Sequence, residues 1–231
     1  RDAYLKLCHT LAEVNDLIRE YSKHSHKDDD DAVLPLLHPS KGNVCFASAS
    51  FAWSFTLQSF AAIYADCHPD TSMNTAVFAR KLWGDYYYER ESNTFVHSKQ
   101  KLSSSTSKGA GGGGKKRTFV EFILEPLYKI YAHTLGRDPQ RLFPMFKQLG
   151  IALKKQELQL DPQPLLSVIL SRFFGASKGF VSMIRDHIPS PQQGNRHKVM
   201  RTYCGDLTSP LATRMIACDS RCDTAMVNIT K

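Results

Sequence analysis

Long apolar runs are missing from this sequence. Nowhere in its 231 residues does a stretch approach the roughly 18 apolar residues that a membrane-spanning helix needs. No basic segment followed by an apolar one opens the chain either, so neither a helical span nor a secretory signal is expected. Cysteine is sparse: Cys8, Cys45, Cys67, Cys204, Cys218 and Cys222 are scattered over a chain too long to need stapling. Reduced thiols in an intracellular protein are the expectation. Cys218 and Cys222 could supply half of a zinc site, but no second pair accompanies them, and two packing thiols are the simpler reading. Catalytic constellations are lacking too: no triad or carboxylate pair stands out, and His9 and His133 fall inside helical patterns as surface or packing residues.

What is present is enough to fold. Apolar residues make up 42% and charged residues 23%, too apolar a balance for a wholly disordered chain. The formal charge is +8, which invites a nucleic-acid reading until the charges are placed. Lys99, Lys101, Lys108, Lys115, Lys116 and Arg117 lie together without one acid, so a single segment carries most of the excess. The segment, 99–117, contains KLSSSTSKGAGGGGKK, without apolar periodicity, and is expected to be a flexible insertion. Its Gly109 to Lys115 run mimics a phosphate loop. However, Lys116 stands where a Ser or Thr would hold magnesium, and SSSTSK stands where a strand should lead in, so the match is compositional. Outside it, Arg196, His197, Lys198 and Arg201 form a smaller cluster, either a solvated strand face or a contact for an RNA backbone. Trp53, Trp83 and Tyr86 to Tyr88 could stack on bases, but their spacing fits a core.

Periodicity predicts a helix over Asp2 to Tyr21, with Tyr4, Leu7, Cys8, Leu11, Val14, Ile18 and Tyr21 on one stripe. The chain opens almost inside that helix, which is expected of a piece of a longer protein. Ser22 to Lys41, with four consecutive aspartates, reads as a polar excursion. Gly42 to Ala47 reads as a buried strand ending in the small residues Ser48, Ala49 and Ser50. Helices are predicted over Thr56 to Asp66, with Thr56 as N-cap, and from about Asn74 to Leu82. A hairpin should pair Tyr86 to Tyr88 with Asn93 to His97. Helical patterning resumes at Thr118, kinked or divided at Pro126, and recurs over Gln163 to Phe174 and Lys178 to His187. Pro189, Pro191 and Gly194 then end the helical region, and Lys198 to Tyr203 and Ala225 to Thr230 alternate as strands.

Several segments in order carry a resemblance: DAYLKLCHTLAEVNDLI from Asp2, GNVCFASASFAWSFTLQSFAAIYAD from Gly42, KLWGDYYY from Lys81, RTFVEFILEPLYKIY from Arg117, LGI at Leu149, PLL at Pro164 and HIPSP from His187. As a set they resemble the spliceosomal translocase-like GTPases of the U5 small nuclear ribonucleoprotein, within the elongation factor 2-like superfamily. The aspartate run and the Lys/Ser/Gly insertion depart from the family pattern.

The resemblance implies an α/β fold class: the C-terminal part of a translational-type GTPase domain with an inserted α+β subdomain, followed by the start of a β-barrel. Residues 1–55 would end the GTPase core, 56–160 form the inserted subdomain with the flexible 99–117 insertion, 161–191 supply closing helices, and 196–231 begin the barrel. Ser48 and Ala49 would stand at the motif whose backbone contacts guanine, with Ser50 at its variable third position. The implied cofactor is GTP, its magnesium held by residues outside this segment. The phosphate loop, switch regions and Asn-Lys-x-Asp motif are not found in it, so the segment alone is not expected to hydrolyse GTP, and its enzymatic status stays open. Implied partners are spliceosomal proteins and small nuclear RNA in the nucleus, with no membrane and no homo-oligomer. The alternatives are elongation factor 2 itself, a ribosomal translocase, or a non-enzymatic interaction module. The upstream sequence would discriminate among them.

Overall fold

The computed structural model describes residues 1–25, 35–69, 73–97, 116–136, 144, 146, 149–221 and 223–227. The chain divides into two compact units, 1–183 and 184–231. The glycine-rich run, the four aspartates and Cys222 lie outside the described residues.

In the first unit, α1 (Asp2–Ser25) lays its expected stripe against the core. Tyr4 is buried, Leu7, Cys8 and Leu11 are half-buried, and the stripe gives out before the exposed Tyr21. The Tyr4 hydroxyl accepts a bond from the Gly84 N–H (3.0 Å) and donates to the Gly84 carbonyl (3.3 Å). The Asn15 amide clasps both backbone groups of Leu37, at 2.7 and 2.8 Å.

The strand expected over Gly42 to Ala47 is shorter and later. β1 (Phe46–Ser48) forms an antiparallel hairpin with β2 (Trp53–Phe55), with Phe46 opposite Phe55 and Ser48 opposite Trp53. Ala47 faces solvent, so the strand is covered on one side only. The cause lies in Phe51-Ala52-Trp53-Ser54-Phe55, whose alternating aromatics make a second half-buried strand that a reading focused on Val44 to Ala47 passes over.

Thr56 then caps α2 (Leu57–Cys67) through a reciprocal box with Ser59, and Asn74 caps α3 (Thr75–Lys81). β3 (Tyr86–Glu89) pairs with β4 (Thr94–His97) around a turn in which Asn93 takes a left-handed φ of 51°. Pro126 is accommodated without dividing the helix. A π-helical turn, Val120–Leu124, runs directly into α4 (Glu125–Leu135), and the Glu125 N–H bonds to the Val120 carbonyl. The wider turn shifts hydrogen bonding by one residue just where proline lacks a donor.

α5 (Pro162–Phe174) buries Leu165, Leu166, Ile169, Leu170, Phe173 and Phe174 and is the centre of the unit. Phe55 and Phe174 stack with centroids 4.3 Å apart, Trp53 stacks on Phe174 at 4.8 Å, and Phe60 closes on Phe173 edge-on. Gly175, at φ 76°, ends α5 where a side chain would run into Ile63 Cδ1 at 2.6 Å. The next helix is α6 (Lys178–His187). Among the described residues no single helix is long and apolar enough to cross a membrane. The pair α5 and α6, bent by 47°, reaches that length and composition only jointly, and the apolar side of α5 is taken up by the core.

The second unit corrects an expectation. Lys198 to Tyr203 is not a strand: it lies in α7 (Pro191–Thr202) and at that helix's C-cap, and α8 (Pro210–Ala217) follows. Residues 225–227 have no regular structure, and 228–231 lie outside the described residues. The reason is a helix start mistaken for a stop. Ser190 caps α7, Gln193 completes the box, and Pro191 occupies the first turn, where its missing N–H costs nothing. The mixture of helix and strand agrees with the expected class. The strands described form two separate antiparallel hairpins.

Candidate functional site

Ser48, Ala49 and Ser50 come together at the tip of the β1–β2 hairpin. Ser48 ends β1 half-buried, while Ala49 and Ser50 are exposed in the turn. An Ala52 N–H to Ala49 carbonyl bond of 3.3 Å closes the turn, and Ala52 adopts a left-handed φ of 52°. The Cβ of Ala52 makes this conformation strained, and the small residues around it leave the backbone approachable.

The tip is held from behind. Phe51 meets Tyr131 edge-on at 5.0 Å, and Trp53 Nε1 donates to the Tyr131 hydroxyl at 3.5 Å. The Ser54 hydroxyl donates to the Ala176 carbonyl at 3.0 Å. Helices α4 and α5 therefore position an exposed turn through aromatic contacts. Chemically the turn offers backbone donors and small hydroxyls. Burial pushes the nearby Cys45 thiol above its ordinary value, which disfavours its thiolate and hence nucleophilic use. No group of three or more His, Cys, Asp or Glu residues able to hold a metal occurs among the described residues.

Two clefts in the same unit were not foreseen. One, of about 570 Å³, is lined by Phe60, Tyr64, Phe122 and Phe173 together with the Arg90–Glu121 ion pair, whose closest atoms are 2.9 Å apart. Burial, then the charges of Tyr88 and Glu121, raise the Tyr64 hydroxyl. The other, of about 840 Å³, is lined by Tyr87, Tyr128, Lys116, Arg117, Lys129 and Glu125 among others. Its cations are partly committed, Lys116 to Glu125 and Arg117 to Asp85 at 2.8 Å. The aromatics of these clefts were visible in the sequence. Their convergence from elements far apart in the chain was not. Neither cleft includes Ser48, Ala49 or Ser50 in its lining. Trp83 is buried in the core, as its spacing implied.

In the second unit, Arg196, His197, Lys198 and Arg201 are exposed on α7, so the cluster is a helical surface and not a strand face.

No protein-family model matches the chain. Curated relatives do. Over all 231 residues the chain is 41% identical to the Arabidopsis thaliana 109 kDa U5 small nuclear ribonucleoprotein component GFL, and 41% identical to the 110 kDa component CLO of the same plant. Over 215 residues it is 37% identical to pre-mRNA-splicing factor cwf10 of Schizosaccharomyces pombe, which covers 93% of this chain. The matched regions are 22%, 22% and 20% of those proteins, so the chain spans about a fifth of the length of the relatives it matches.

Proposed function

The chain belongs, along all 231 residues, to the family of the U5 small nuclear ribonucleoprotein components, and from that membership we propose that the protein carrying it acts in pre-mRNA splicing as a U5 component. The observation that carries this reading is identity of 37–41% over 93–100% of the chain to three relatives whose names refer to splicing or to this particle. Those names favour splicing over ribosomal translocation. The nucleus is the corresponding compartment, and spliceosomal proteins and small nuclear RNA are the corresponding partners.

The finer reading is a GTP-dependent conformational switch. In it, residues 1–55 and 161–191 would close a GTPase domain around an inserted subdomain, and the β1–β2 tip would touch guanine through the backbone of Ser48, Ala49 and Ser50. An exposed turn of small residues on a rigid aromatic support suits that role, because such a contact needs close backbone approach and little motion. Phosphate, magnesium and the attacking water would be handled elsewhere in the protein. The nucleotide state would then bias how the flanking elements engage their partners.

Affinity purification of the tagged whole protein from nuclear extract tests the splicing role. U5 small nuclear RNA should be enriched in the eluate, and ribosomal RNA in its place would overturn the reading. For the finer one, Ala49→Trp in the whole protein should weaken guanine-nucleotide binding by tenfold or more in calorimetry, and unchanged affinity would reject the turn as a contact.

A further inference from the structure

Helix α7 has two unlike sides. Val199 is buried, and the Asn195 side-chain amide beside it donates to the Met215 carbonyl. Gly194, His197, Lys198 and Arg201 recur at i, i+3, i+4 and i+7, which aligns them on one side of the helix, whereas Arg196 projects nearer Val199 and outside that stripe, and Lys198 borders the cleft that Val199 and Asp219 also line. His197 and the three cations are exposed.

No acid occurs from His187 to Gly205. The ion pairs described in this unit are Arg185–Asp186 and Arg221–Asp219, and neither reaches α7. Lys198 and Arg201, three residues apart, repel one another, and no ion pair described in this unit joins either of them. Like charges on one exposed helix side are unfavourable for the fold, which points to an external use.

Gly194 points the same way. A glycine inside a helix costs about 1 kcal/mol relative to alanine. Here a Cβ would meet Pro189 Cγ at 3.4 Å and Pro189 Cβ at 3.8 Å, ordinary contacts, so packing does not require glycine. What its absent side chain leaves open is the helix backbone at the N-terminal end of the basic stripe, where an extended polymer can come close.

We propose that this face of α7 binds the phosphate backbone of RNA without reading its sequence. The proposal rests on the reading of the protein as a ribonucleoprotein component. Arginine and lysine in a stripe match a repeating phosphate charge. An acidic protein partner would call for aromatic anchors among the cations, and the stripe has none.

The test is binding of a labelled single-stranded RNA of about 20 nucleotides to the whole protein at several salt concentrations. The variant Lys198→Gln/Arg201→Gln should flatten the dependence of log K on log salt by about 1.4, since each lost phosphate contact accounts for about 0.7, whereas Arg196→Gln alone should leave the slope unchanged. Gly194→Leu should weaken RNA binding severalfold while leaving helix content by circular dichroism undiminished. An unchanged slope in the double variant overturns the proposal. So does displacement of the RNA by poly-glutamate of equal length, accompanied by an equal loss of poly-glutamate binding in the variant, which would assign the face to acidic protein. U5 RNA recovery by the unaltered protein reports on the parent reading independently. Recovery with an unchanged slope defeats only this inference, and a changed slope without recovery defeats only the parent reading.

Discussion

Thr134 holds its hydroxyl buried with no hydrogen-bond partner among the described residues. A buried donor left unpaired costs about 1–3 kcal/mol, so Thr134→Val, which keeps the shape and removes the hydroxyl, should leave the melting temperature unchanged or raise it. A fall of several degrees in calorimetry would mean that the hydroxyl is used. Reactivity is also decided residue by residue. Cys67, Cys204 and Cys218 are exposed, whereas Cys45 is half-buried with its thiol pushed up by burial. Alkylation near pH 8, followed by mass spectrometry, should label those three before Cys45. Labelling of Cys45 first would contradict the packing described around β1. The sequence shows six cysteines alike. Which thiols meet water depends on neighbours from β2, which no local pattern around Cys45 reveals.

Helix starts were readable where capping chemistry preceded an apolar run. Thr56 and Asn74 both cap the helices expected of them. The same grammar at Ser190-Pro191 was obscured because α7 follows it with glutamines, glycine and basic residues in place of an apolar stripe, and only Val199 of that helix is buried. Thr56→Ala and Ser190→Ala should each cost about 1 kcal/mol of the stability of the unit they cap. In urea unfolding, Thr56→Ala should shift a tryptophan-reported transition, since both tryptophans lie in the first unit. Ser190→Ala should leave that transition in place and instead speed amide exchange along α7. The reverse pattern would show that the caps are wrongly assigned. Pro126 makes a related point. Its side chain announces a break, yet a π-helical turn absorbs it, because one wider turn is cheaper than exposing the buried Ile123, Leu124 and Ile130 on either side.

The two units differ in how much they bury. The first has a continuous aromatic and aliphatic core from Tyr4 to Phe174, whereas Val199 and Ala212 are the buried apolar residues described in the second. Local stability follows buried contact, so amides of α7 and α8 should exchange faster than those of α5 in hydrogen–deuterium mass spectrometry. Equal protection would overturn that ranking. The sequence by itself determined the amphipathic helices, the β3–β4 hairpin, the aromatic core residues and the family, because periodicity, capping and ordered identity are local or additive signals. It also placed Ser48, Ala49 and Ser50 after a strand. Tertiary structure decided that this strand turns back on β2 and that the tip rests on Tyr131 and Phe174, since partner choice depends on residues far along the chain. It likewise decided that Lys198 and Arg201 share one side of a helix, because a polar segment with so little apolar periodicity leaves its own pattern undecided.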